Sequence, residues 1–431
     1  MSSLGERIRT RRKELGLTQT QLGGADVSKA FISLVEKGRA RPSLHTLGLL
    51  AERLQRPVGY FLERGTALEA KALRVTVAAG WVKIKQGDFT AAAEAFEEAL
   101  PLAAEDRDRA TEGECYLGLA TALAGLRQHD LARQNAERGR DLAESAGALH
   151  HLARVHQVFG VIAYQERRFL EARGHFAEAY RRFEEADHPD RGLGGIVLYN
   201  IGNTHMELGD HVEAARWYRR AMAALESAED MHRLGLVHVQ LGVAERERGH
   251  YDAALEHLNR AEHLFEVLED RRLLGWAHNS IGITLLADGK VDDAVAHIEA
   301  SLRIKEEIGD DPGRARSLTE LGRAMTAKGR FAAADDLLDE AERLTDRFGD
   351  VTERARILRA RGQLRAADGR IPEAIRYLKR AISAFETLGM NGDLASTCNL
   401  LGDLLLKHGR ASQAAPYLSR ALEALRAELS R

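Results

Sequence analysis

Two groups of side chains have types and spacing that suit anion chemistry. Lys29, Lys37, Arg39 and Arg41 lie close together near the N-terminus. Residues 1–64 hold 12 Lys/Arg against 6 Asp/Glu, whereas the remaining 367 hold 50 against 59. A small basic segment on a large acidic body suits a polyanionic partner, although the formal charge of the whole chain is only −3. The second group is Arg316, Arg323, Arg356 and Arg359, which fall on one stripe of a repeat described below. Gathered without partners they would repel, so a carboxylate or phosphate guest is one expectation. The other is pairing with carboxylates of the chain itself, such as Glu320 or Glu353. On the same stripe, Asn203, Asn279 and Asn399 each offer an amide that both donates and accepts, which suits a peptide backbone. Tyr199 and Trp276 add apolar anchoring area there.

Other chemistry is absent from the sequence. No HExxH, GxSxG or phosphate-binding loop occurs, and Gly289-Lys290-Val291 lacks the Ser/Thr of the last of these. No catalytic constellation, metal or cofactor is expected. His150, His151 and His156 have no carboxylate at zinc spacing. His238 and His278 share a column with Leu198, Leu318, Leu358 and Cys398, and so read as stacked core histidines. Cys115 and Cys398 stand 283 positions apart without a CxxC. That excludes a disulfide framework or cysteine zinc site and fits a reducing cytoplasm. Gly192-Leu193-Gly194-Gly195 follows no strand and reads as loop. No run nears 18 apolar residues, and the arginine-rich start is no secretory signal, so no membrane association is expected. The length of 431, with 44% hydrophobic and 29% charged residues, suggests two or three globular domains.

These residues need elements to position them, and a repeat supplies most of them. Gly202, Gly242, Gly282, Gly322, Gly362 and Gly402 are spaced by 40. Twelve positions after each comes Ala214, Ala254, Ala294, Ala334, Ala374 or Ala414. Seven further on stand Ala221, Ala261, Ser301, Ala341, Ala381 and Ala421. Turn glycines at 209, 249, 289, 329, 369 and 409 lie between. Three weaker copies precede them, at Gly80, Ala120 and Gly160, with a two-residue insertion near Pro189–Gly192 before the fourth. Each unit reads as helix, tight turn, helix, with apolar residues at i, i+4 and i+7. This pattern resembles the tetratricopeptide repeat over residues 67–428, with a period of 40 in place of about 34. The expected fold is all-α, a small five-helix head before a solenoid of about nine helix pairs. Positions six and three before each repeat glycine, and one and four after it, form the stripe named above; in such repeats it lines the groove.

Residues 4–64 follow no such period. Gly16 ends a first helix, and Thr18-Gln19-Thr20-Gln21 is a capping box opening a second. Ser28 caps a third, running to Lys37, and Ser43 a fourth. Pro57 starts a fifth. The two domains meet at Glu63–Thr66, where Thr66 and Glu69 read as another capping box. Leu17-Thr18-Gln19, Val27-Ser28, Ile32-Ser33, Glu36, Gly38 and Arg41-Pro42-Ser43, in this order, resemble the phage-repressor/Cro type of helix-turn-helix. Two departures stand out: Gly23–Asp26 is one residue shorter than the common spacing, and Asp26 stands where glycine is usual.

The resemblance implies a DNA-reading third helix. Val27, Ile32 and Val35 would face inward and Ser28, Lys29, Ala30 and Ser33 outward, with the N-terminal end reaching base edges. Lys29 would donate to guanine and Ala30 touch a thymine methyl. Phe31 would lie in the core or against the sugar-phosphate chain. Lys37, Arg39 and Arg41 follow where a phosphate path would run, and the helix starts at Thr18 and Ser43 offer N–H groups to phosphates. Gln19 is the residue the resemblance assigns to the backbone clamp. Arg7, Arg9, Arg11, Arg12 and Lys13 read as a solvated helix face. The combination of head and repeats resembles the peptide-pheromone-responsive RRNPP regulators of Gram-positive bacteria. It implies a cytoplasmic homodimer on a palindromic double-stranded DNA operator, switched by a short peptide in the repeat groove. The alternatives are a groove that binds a protein partner, and a scaffold whose head binds no DNA.

Overall fold

A computed structural model describes residues 4–61, 67–105, 108–186 and 191–430, and these are all helix and turn. They form two compact units, residues 1–168 with 177–189 and residues 169–176 with 190–431. No helix among the described residues is long and apolar enough to cross a membrane. The Glu63–Thr66 junction, its capping box and the insertion at Pro189–Asp190 lie outside the described residues.

The first unit begins with the head. Its helices are α1 (Leu4–Glu14), α2 (Gln19–Gly23), α3 (Lys29–Glu36) and α4 (Leu44–Arg53). Three start where the polar caps stand. Thr18 Oγ1 accepts from the Gln21 N–H while Gln21 Oε1 accepts from the Thr18 N–H. Ser28 Oγ accepts from the Phe31 N–H, and Ser43 Oγ from the Thr46 N–H. Each cap satisfies a donor that a helix start leaves orphaned. The expected fifth helix is only a 3-10 turn, Val58–Tyr60, because Pro57 brings no side-chain cap and Phe61 enters the core directly after it. Ile8, Leu22, Val27, Ile32, Val35, Leu47, Leu50 and Leu54 complete that core. Gly5 lets α1 lie against α3, since a Cβ there would stand 2.2 Å from the Val35 carbonyl oxygen.

The repeats follow in the predicted register. The first unit continues with α5 (Ala67–Gln86), α6 (Phe89–Glu105), α7 (Arg109–Gly125), α8 (His129–Ala146) and α9 (Leu149–Gln165). Helix α10 (Phe169–Glu185) belongs partly to each unit. The second unit holds α11 (Arg191–Glu207), α12 (His211–Ser227), α13 (Met231–Glu247), α14 (Tyr251–Val267), α15 (Arg271–Ala287) and α16 (Val291–Glu307). It ends with α17 (Asp311–Ala327), α18 (Phe331–Phe348), α19 (Val351–Ala367), α20 (Ile371–Thr387), α21 (Asn391–Lys407) and α22 (Ala411–Ser430). Among the described residues, α5 packs with α6, α7 with α8, and α11 to α22 two by two, eight helix pairs in all. Gly192–Gly195, expected as loop, lies inside α11, where the missing Cβ of Gly195 makes room for Leu225.

The glycine column explains the close pairing. A Cβ at Gly202 would stand 2.5 Å from the Tyr218 ring, at Gly242 2.6 Å from Leu258, and at Gly282 2.5 Å from Ile298. Overfilling such contacts costs about 1–3 kcal/mol each. The turn glycines Gly209 to Gly409 all have φ between +69° and +81°, which favours glycine. A further periodic signal lies in Asp230, Asp270, Asp310 and Asp350. Each accepts the N–H three residues on and so caps the first helix of its pair. Ser301, the one hydroxyl in the small-residue column, donates to the Gly275 carbonyl at 2.6 Å.

Candidate nucleic-acid interface and repeat groove

The head presents α3 with its apolar side locked and its polar side open. Val27, Ile32 and Val35 are buried, whereas Ser28, Lys29, Ala30 and Leu34 are exposed and Ser33 is half-buried. Phe31 is partly buried against the core. Lys37, Arg39 and Arg41 follow α3 and are all exposed. Lys29, Lys37 and Arg39 have no carboxylate partner among the described residues.

Several predicted roles differ in the structure. Gln19 turns inward, its Nε2 donating to Glu36 Oε2 at 2.8 Å, so a phosphate clamp has to draw it out of that bond. Three arginines of α1 are not a solvated face. Arg12 Nε and Nη2 donate to Glu36 at 2.6 and 3.0 Å, and its Nη1 to the Leu17 carbonyl at 2.7 Å. Arg11 Nε donates to the Leu54 carbonyl at 3.1 Å and Arg7 Nη1 to the Tyr60 carbonyl at 3.2 Å. Burial pushes the Glu36 carboxyl up, but the hydrogen bonds from Arg12 and Gln19 outweigh it and hold it below the usual range. This buried pair fixes α1, the start of α2 and the end of α3 to one another. The departure at Gly23–Asp26 is absorbed locally. Gly24 takes φ +57°, and Arg53 of α4 binds the Leu22 and Gly23 carbonyls and the Asp26 carboxylate.

In the second unit, the first helices of successive pairs carry the predicted stripe. At its start, Tyr199 and Tyr218 rings lie 5.9 Å apart, and the Tyr218 hydroxyl donates to Asn203 Oδ1 at 2.7 Å. The Tyr199 hydroxyl bonds Asn203 and Gln240, while burial raises its pKa. Asn203 is therefore held by the chain's own tyrosines. Asn279 is buried, and its Oδ1 accepts from Ser317 Oγ at 3.0 Å. Ser317 in turn accepts from Lys305 Nζ at 2.9 Å. Trp276 packs against the core of its repeat, and Asn399 is exposed.

The four arginines do not form an unpaired cluster, because the carboxylates of the repeat stand among them. Arg323 pairs with Glu320, and Arg356 Nη1 lies 3.6 Å from Glu353 Oε2. Arg359 pairs with Asp393 at 2.6 Å and lies over the Phe385 ring. Arg316 is exposed and acts electrostatically on Glu353. Glu353 is 2% exposed; burial raises its pKa against the Thr319 hydroxyl it accepts from at 2.7 Å. The stripe is thus an alternating field of guanidinium and carboxylate. Glu320 and Glu353 are the partners the sequence offered; Asp393 on α21, outside the stripe, is the one it missed.

Comparison with known proteins agrees with this architecture. The helix-turn-helix family matches residues 8–61. The tetratricopeptide repeat family matches residues 146–227, 195–266, 272–347 and 353–427. No curated protein matches the chain. Among solved structures it is similar to a Rap protein complexed with competence and sporulation factor, with a TM-score of 0.65 and 13% identity over 84% of this chain and 99% of that one. It is also similar to the apo form of the quorum sensor NprR from B. thuringiensis, with a TM-score of 0.62 and 15% identity over 82% and 99%. The Rap conjugation gene regulator of the plasmid pLS20, in complex with the Phr* peptide, gives 0.56 and 14% over 83% and 96%. At these identities the likeness is one of fold. With repeat matches covering more than half its length, the chain belongs to the tetratricopeptide repeat family and carries a phage-repressor type of helix-turn-helix at its N-terminus.

Proposed function

We propose that the chain is a sequence-specific DNA-binding regulator, acting as a homodimer on a palindromic operator, whose repeats bind a short peptide that modulates DNA binding. The observation that carries this is α3: apolar side buried, Ser28, Lys29 and Ala30 exposed at its N-terminal end, and a cationic run directly after it. One such head reads a half-site, so a dimer with half-sites about 34 Å apart, or a multiple, is the economical arrangement. Domain limits of 4–64 for the head and 67–428 for the repeats accompany this reading. Two of the similar structures are complexes, one with competence and sporulation factor and one with the Phr* peptide, and the latter supports a peptide as guest. The alternating charges around Arg316, Arg323 and Arg356 favour a second reading, a protein partner whose surface carries both signs.

The deciding experiment is capture of sheared genomic DNA by the purified chain at about 150 mM salt, where non-specific phosphate binding is suppressed. Enrichment of a few two-fold symmetric sites is expected; uniform recovery refutes the reading. On such a site, Lys29→Ala will lose about 1–3 kcal/mol of discrimination at one base position, measured by competition with single-base variants. Arg39→Ala will weaken all sequences alike and reduce the salt slope by about one. Arg316→Ala will leave operator affinity unchanged and weaken the response to the cognate peptide, read as the shift in operator binding on peptide addition. An unchanged response removes Arg316 from the guest site.

A further inference from the structure

Three side chains from consecutive helices meet in the second unit: Glu262 on α14, His278 on α15 and His297 on α16. His278 Nδ1 lies 2.9 Å from Glu262 Oε1 and 3.2 Å from His297 Nδ1. One ligand atom from each of the three residues can be chosen so that all lie within 4.8 Å of one another. An imidazole nitrogen offers either one N–H or one lone pair. A proton on His278 Nδ1 therefore has to divide between two acceptors, and without it a lone pair faces a carboxylate. A cation between the three resolves the conflict. Zinc bonds to nitrogen and oxygen of about 2.0–2.2 Å put tetrahedral ligand atoms roughly 3.3 Å apart, close to the separations seen.

The repeat provides its own comparison. Forty residues earlier, His238 and His257 stand with the same Nδ1–Nδ1 separation of 3.2 Å. There Met222 takes the place of Glu262, and Arg260 the place of Ala300. His238 is 3% exposed, as a core histidine should be, and burial with its cationic neighbours pushes it down to about 4. The later copy differs in the ways a metal requires. It adds a carboxylate oxygen 2.9 Å from His278 Nδ1, where the earlier copy has only the thioether of a methionine in the sequence. The side chains of His278 and Glu262 are 16% and 20% exposed, so an ion can enter. Spacings of 16 and 19 along the chain match no metal motif, which is why the sequence suggests only a core column.

We propose that Glu262, His278 and His297 bind a divalent transition-metal ion of the Zn2+ class, with a fourth position left for water or a ligand group. Two imidazoles and one carboxylate are a borderline donor set suited to such ions. The ion ties α14, α15 and α16 together. Trp276 and Asn279 flank His278 on α15, so the ion also stiffens the helix that carries two groove residues. The site stands whether or not the head binds DNA.

The test uses the full chain stripped with chelator and titrated calorimetrically with Zn2+, then with Co2+ followed by visible absorption. One tight equivalent is expected, with the absorption of four-coordinate Co2+. Glu262→Gln and His297→Ala will each weaken it roughly tenfold or more, whereas His257→Ala will leave it unchanged. Circular dichroism melts of the stripped variants identify any that fail to fold, and the isosteric Glu262→Gln keeps the test open if His297→Ala is one of them. With 17 histidines in the chain, weak surface binding is expected elsewhere. No tight equivalent, or one that survives both substitutions, or one lost with His257→Ala, overturns the proposal.

Discussion

Glu36→Ala will destabilise the head by about 3–5 kcal/mol, the usual cost of breaking a buried ion pair from one side. The Glu36 side chain is 4% exposed and that of Arg12 11%. Removing the carboxylate leaves the little-exposed guanidinium with the Leu17 carbonyl, and frees Gln19 from its bond. Because the pair links α1, α2 and α3, the reading face of α3 will lose its position as well. The measurements are amide hydrogen exchange over residues 4–61 of the full chain and capture of operator DNA; both will fall. Glu36→Gln, which keeps part of the hydrogen bonding, will fall less. Wild-type protection in Glu36→Ala would show that the pair contributes nothing to the head. The pH dependence has a definite sign. A carboxyl held below its unfolded value stabilises fully above about pH 4.5, and this contribution is lost as pH falls through the lowered folded value.

Lys305→Met will stabilise the second unit at pH 7, and the gain will vanish in alkali. Lys305 is 5% exposed, and burial pushes it down to about 8 from 10.5; Asp310 and Glu353 oppose that shift and Arg316 adds to it. Below pH 8 both folded and unfolded chains carry the charge, and the folded state bears the full penalty. Between pH 8 and 10.5 the unfolded chain binds more protons, so wild-type stability gains from this group as pH rises. At about 1.4 kcal/mol per pKa unit, the penalty at pH 7 reaches about 3 kcal/mol, less the bond to Ser317 that methionine gives up. Thermal melts of wild type and variant at pH 7 and pH 10 decide it. A gap that does not narrow, or a less stable variant at pH 7, contradicts the account. The lysine belongs to a network with Ser301 and Ser317 that fixes the Asn279 carbonyl oxygen.

Much of this molecule follows from sequence because its signals are local or periodic. Caps at Thr18, Ser28 and Ser43 act within three residues, and they open helices where read. The 40-residue repeat places glycine against a large apolar partner about 16 positions on, and Gly202 with Tyr218 or Gly242 with Leu258 meet as the columns require. Periodicity averages over six copies, so no single residue has to be read correctly. Pairings between helices follow no such period, and there the tertiary structure alone decides. Arg12 and Glu36 are 24 residues apart, and only the crossing of α1 and α3 turns an arginine that looks solvated into a buried strut. Arg359 meets Asp393 because α19 and α21 are neighbours, which changes a row of cations into a field of ion pairs. His278 shares its sequence column with His238, yet Glu262 in place of Met222 gives one copy a ligand set and leaves the other a core pair. A repeat sequence determines backbone register because every copy enforces it; the charge and ligation of a site depend on single side chains brought together once.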